Sequence, residues 1–124
     1  MSLNKSLRVG YGLARVGFGI FASSRPTQMG RTWVGEDAES PGSEVILRAL
    51  GFRDIALGVG VTEAALNGDP RSWLAVSMLS DLGDVTATLI GRKRIEQRGV
   101  AITTALAGAG ALAAGILLVA NDAE

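Results

Sequence analysis

The chain has 124 residues, with 12 Lys and Arg balancing 12 Asp and Glu, and it contains neither cysteine nor histidine. That length holds one domain, and the balanced charge lacks the basic footprint of a nucleic-acid binder. Without thiol or imidazole there are no disulfides, Fe–S clusters, Cys/His metal sites, histidine-ligated haem or Ser-His-Asp chemistry.

Carboxylate, Arg and Lys are the groups left for acid-base or ion work, so their positions become the main question. An apolar fraction of 48% is ordinary for a soluble protein. The class is therefore decided by how the apolar residues cluster along the chain.

The first candidate helix covers about residues 7–23. Lys5 and Arg8 before an apolar run resemble a signal peptide, but Arg15 interrupts the run and no A-x-A site follows, so the reading is a retained helix. From Ser24 to Ser43 the chain is rich in Gly, Pro, Ser and acidic residues and reads as a long irregular loop. Such a loop is unusual inside a compact domain and suits a membrane surface or a protein contact, with Trp33 as an interfacial anchor.

After the breaker Pro41-Gly42, Ser43 and Glu44 signal the start of a second helix over 44–66. Asn67-Gly68-Asp69-Pro70 then reads as a stop followed at once by a start. Gly68 takes the left-handed C-terminal position, Asp69 the N-cap and Pro70 the first helical position of a third helix over 70–90. The second and third helices should therefore form a tight antiparallel hairpin, with Trp73 at the aromatic belt.

A basic link follows, with Arg92, Lys93, Arg94 and Arg98, and then an uncharged run from Val100 to Ala120 inside a fourth helix over 99–120. At about 1.5 Å per residue this run spans a hydrocarbon core of roughly 30 Å. The expected architecture is all-α, an integral membrane four-helix bundle in which residues 1–124 form a single transmembrane domain. Arg25 and Arg31 in the first loop fall on the same side as the basic link, against Lys5, Arg8 and Arg71 on the other. The positive-inside rule then puts the loop at 91–99 in the cytoplasm and both termini outside, with acidic Asp122 and Glu124 compatible.

The third helix carries Ser77, Asp81, Asp84 and Thr88 on one face. Facing lipid, each charge would cost roughly 2.5–3.5 kcal/mol on insertion scales, so the stripe should face the interior. A hairpin turning near residue 69 brings Arg53 level with Asp84, which predicts an Arg53–Asp84 ion pair. Arg15 should partner Asp81 or Asp54, and Arg48 is the spare cation nearer the interface. The cluster reads either as an interhelical clamp or as a functional site for a proton, an ion or a ligand.

Small residues form packing seams, Gly51 and Gly58 on either side of Asp54, and Ala107, Ala111 and Gly115 on the last helix. The glycines at 10, 12 and 17 do not fit G-x-G-x-x-G and carry no nucleotide site.

The run from Arg48 to Gly58, with its Gly51-x-Arg53-Asp54-x-Ala56-Leu57-Gly58 core, is followed by Gly83-Asp84. It resembles a family of small bacterial and fungal membrane proteins described only as a domain of unknown function. The resemblance covers roughly residues 48–89, with a looser echo in Arg25-Pro26. It implies a four-helix membrane fold and brings no substrate, cofactor or catalytic residue.

The expected function is a non-catalytic accessory or assembly subunit of a larger membrane complex. The alternatives are an intramembrane binding module for a lipid, quinone or other apolar ligand, or a proton or ion pathway through the charged cluster. The expected partners are membrane lipid and a protein partner or second copy, with no cofactor, metal or nucleic acid.

Overall fold

The structure is a computed structural model that describes residues 1–120; Asp122 and Glu124 lie outside the described residues. The described residues are all-helical, in the order α1 (Leu3–Ser24), α2 (Pro26–Val34), a 3-10 turn (Gly35–Glu39), α3 (Pro41–Asn67), α4 (Arg71–Ile90) and α5 (Gln97–Val119).

The side chain of Ser2 caps α1 by accepting from the backbone N–H of Lys5 at 3.1 Å. The helix stops at Arg25 because the following proline disfavours helical geometry in the residue before it. Pro26 then opens α2 at its first position. The segment expected to be irregular from Ser24 to Ser43 is thus mostly helical. Its one sharp reversal is Gly35, whose φ of 69° lies in the left-handed region that glycine enters without penalty.

The next start comes earlier than Ser43: Ser40 caps α3 through the N–H of Ser43 at 3.2 Å, and Pro41 is the first helical residue rather than a breaker. At the other end of α3, Gly68 is extended (φ −159°), not left-handed. Pro70 is the N-cap of α4 instead of its first residue, and Asp69 reaches past it to accept from the N–H of Arg71 at 3.1 Å. The side chain of Arg71 also bonds Asp69 and holds that exposed carboxyl below its ordinary pKa.

Packing departs from the expected hairpin of second and third helices. The closest pairs are α1 with α3 and α4 with α5, while α3 and α4 touch only sparingly. The α1–α3 pair is antiparallel and backbone-close. A Cβ placed on Gly58 would lie 2.5 Å from the Gly12 carbonyl oxygen, and one on Gly19 would lie 2.5 Å from the Gly51 carbonyl oxygen. The same glycine spacing flanks a buried charge on each helix, Arg15 on α1 and Asp54 on α3.

The seam expected on α5 divides: Ala111 is buried, Gly115 faces the Met78 sulfur, and Ala107 borders a cavity. The apolar core is split between the two ends. Ala22, Met29, Ala38 and Leu47 pack under α2, and Val61, Leu74 and Leu117 pack at the opposite end. The middle belongs to charged side chains.

Arg8, counted above as a flanking loop charge, is buried instead and donates to the Leu117 carbonyl at 2.9 Å, neutralising the C-terminal end of α5. Two helices, α4 and α5, are long and apolar enough to cross a membrane, with mean hydropathies of 1.2 and 2.0.

Candidate functional site

Arg15 is placed mid-helix on α1, facing both α3 and α4. Its Nη1 and Nη2 donate to Asp81 Oδ2 and Oδ1 at 2.9 and 2.8 Å, a bidentate fork, and Nη2 also donates to Asp54 Oδ1 at 2.9 Å. The second hydrogen of Nη1 goes to the Tyr11 hydroxyl, one turn earlier on α1, at 3.0 Å. Arg15 therefore takes both of the partners between which the sequence left the choice open.

Arg53 forks onto Asp84 at 3.1 and 2.9 Å and touches Asp54 Oδ1 at 3.4 Å. The result is a chain of alternating charge, Asp81–Arg15–Asp54–Arg53–Asp84, that leaves α4, crosses α1 and α3 and returns to α4. Its two halves differ in burial. The Arg15 side chain is 8% exposed and that of Arg53 35%.

Asp84 is steadied from below. Thr88 donates to the Asp84 carbonyl at 2.7 Å and in turn accepts from the Trp33 indole N–H at 2.9 Å. Trp33 is therefore a strut inside the fold and not the interfacial anchor that its loop setting suggested. Ser77 is fully buried one turn before Asp81, with its hydroxyl turned toward that of Tyr11. Arg48 does not join the cluster; it bonds the Ser23 carbonyl at 3.0 Å and Glu44 at 3.4 Å near the N-terminal end of α3.

Above the charged chain lies a cavity of about 600 Å³, within the ordinary range for small-molecule sites. Arg15, Asp54, Asp81 and Asp84 form its floor, with Tyr11 beside them. Phe18 and Phe21 of α1, Met29 and Trp33 of α2, Leu50 of α3, and Ile102, Leu106, Ala107 and Ala113 of α5 form its walls. Two of its lining side chains, Phe18 and Leu106, are exposed.

The lid over this space is α2, the element missing from the sequence reading. Tyr11 and Gly110 were missed with it. Tyr11 carried a signal, since it lies one helical turn from Arg15 on the same face. Gly110 sits against Asp81, where a Cβ would lie 2.6 Å from Oδ2. Among the described residues no group of acidic side chains is arranged to hold a metal ion. Comparison with family models, curated proteins and solved structures returns no match for this chain.

Proposed function

We propose that this chain is a non-catalytic, multi-pass membrane protein that holds an amphiphilic small molecule in the cavity between α1 and α5. The observation that carries this reading is the pairing of an apolar, aromatic-walled cavity with a floor of Arg and Asp side chains, which suits a molecule with one apolar and one polar end.

The membrane part of the reading is supported by an inverted distribution of side chains. Arg8, Arg15, Asp54 and Asp81 are inside, while Leu13, Ile20, Phe52, Val59, Leu79, Leu112 and Ile116 are exposed. In water so much contiguous apolar surface would drive aggregation, whereas in lipid it is the natural exterior. On this reading α1 and α3 also cross. With 22 and 27 residues they extend about 33 and 40 Å, enough for a core of roughly 30 Å, and their charges point inward. The resemblance carried by Gly51 to Gly58 belongs to the same reading. Both termini then lie outside and the loop at 91–99 in the cytoplasm.

The accessory-subunit reading rests on small size, missing redox and metal ligands and the long segment between α1 and α3, which is largely helical; the cavity gives binding the stronger support. An ion pathway has weaker support because the charged side chains pair with one another and apolar clusters pack on either side of them. The test is to purify the protein in mild detergent, extract it and identify bound small molecules by mass spectrometry, beside Ala107→Phe, which fills the cavity without touching a charge. We expect a stoichiometric amphiphile that Ala107→Phe loses. A stoichiometric protein partner with no bound small molecule would favour the accessory role instead.

A further inference from the structure

The polar floor distinguishes between kinds of head group. Two guanidiniums, Arg15 and Arg53, face three carboxylates, Asp54, Asp81 and Asp84, and Arg48 is engaged elsewhere, so the described residues leave one negative charge unmatched. Arg15 is the guanidinium on the cavity wall, and both hydrogens of each Nη are committed, to Tyr11 and Asp81 from one and to Asp54 and Asp81 from the other. Its Nε is buried. The only uncommitted N–H of Arg15 is therefore a buried one, and the guanidinium presents no accessible free donor to an anion.

The carboxylates do have spare acceptor capacity, since each can take about four hydrogen bonds. Asp54, only 3% exposed, receives both of its bonds on Oδ1, and Oδ2 accepts from no described residue although the side chain borders the cavity. Around this floor stand Tyr11, Phe18, Phe21 and Trp33, whose ring faces attract a cation.

We infer that the cavity selects an amphiphile with a protonated amine as its head group, the ammonium donating to Asp54 Oδ2 and its chain lying along the apolar wall of α5. This rests on the reading of the cavity as a ligand site. The ammonium supplies one positive charge and a donor placed for Asp54 Oδ2. A carboxylate or phosphate head would meet like charge and no accessible uncommitted guanidinium donor, and an alcohol would supply the donor without the charge.

The experiment uses the Trp73→Phe protein in zwitterionic lipid nanodiscs, which leaves Trp33 on the cavity wall as the sole tryptophan. Bromo-terminated undecyl amine, alcohol and carboxylate are added separately, and quenching of Trp33 is compared with that in the same protein carrying Ala107→Phe. The amine should reach half-saturation at a membrane mole fraction about tenfold or more below the alcohol, as expected of a hydrogen bond to a charged group, with the carboxylate weakest. Asp54→Asn should remove the preference for the amine. Arg53→Met, which leaves the Arg15–Asp54 contact in place and adds to the excess negative charge, should strengthen it.

If the alcohol or carboxylate equals or outbinds the amine, the ammonium inference is overturned and the binding module stands. If no compound quenches beyond the Ala107→Phe level, the ligand-site reading itself falls.

Discussion

Arg15 carries more of the fold than any other polar residue, because one guanidinium satisfies two carboxylates on two different helices. Removing one partner from a buried ion pair leaves an uncompensated charge, at a cost of about 3–5 kcal/mol. Arg15→Met should therefore destabilise the protein by an amount of that order in denaturant titrations monitored by circular dichroism. Arg15→Lys should fall between Met and wild type, since an ammonium cannot fork onto Asp81 and reach Asp54 together. Neutralising Asp54 and Asp81 in the Arg15→Met background should recover most of the loss. The Arg53–Asp84 pair is a third exposed on its cationic side, so replacing both partners with Met and Asn should cost only about 1 kcal/mol. If the double replacement of Arg53 and Asp84 matched Arg15→Met, the difference in burial between the two halves of the chain would not be what sets their strength.

Among the helices, the α1–α3 contact depends on glycine at sites where one backbone touches the other. A methyl on Gly58 would fall 2.5 Å from the Gly12 carbonyl oxygen and 2.7 Å from the Val16 nitrogen. Backbone cannot move aside as a flexible side chain can, so Gly58→Ala should cost about 1–3 kcal/mol by overpacking. Gly17 lies on the same helix as Gly12 with open space around its Cβ position. There Ala should stabilise by about 0.8–1 kcal/mol through helix propensity. Opposite signs for the two substitutions in one unfolding assay would locate the contact on the Gly12–Gly19 face, and equal effects would contradict it.

The helical periods, the stripe on α4 and the level pairing of Arg53 with Asp84 were legible because rise per residue converts sequence separation into depth along antiparallel helices. The choice of neighbour was not legible. Gly51 and Gly58 announce a close approach without naming the partner, and nothing short of the folded chain says that α1, and not α4, fills that face. Pro26 and Pro41 looked like loop residues although proline is also at home in the first turn of a helix, and α2 was lost for that reason. With it went the cavity, a property of how five helices leave space and not of any one segment.

At the scale of the whole molecule the proposed membrane setting turns on the number of helices that would cross a bilayer. Hydropathy alone selects α4 and α5, whereas the buried placement of Arg8, Arg15 and Asp54 lets α1 and α3 cross as well. Moving Arg8 from a flanking loop to the end of α5 also sharpens the charge asymmetry. Only Lys5 and Arg71 then remain on the outer side, against Arg25, Arg31 and the basic residues at 92–98. The two topologies disagree about the segment between α1 and α3. With four spans, exposed Glu36 shares a side with Lys93 and opposes Asn67; with two spans, Glu36 shares a side with Asn67 and opposes Lys93. The chain has no cysteine, so Glu36→Cys, Asn67→Cys and Lys93→Cys each report a single position. A membrane-impermeant maleimide added to intact cells should label Asn67→Cys at once and the other two only after permeabilisation. Labelling of Glu36→Cys together with Asn67→Cys would reduce the protein to a two-span anchor. The charge chain and its cavity would then lie outside the hydrocarbon region, where water competes for every one of those contacts.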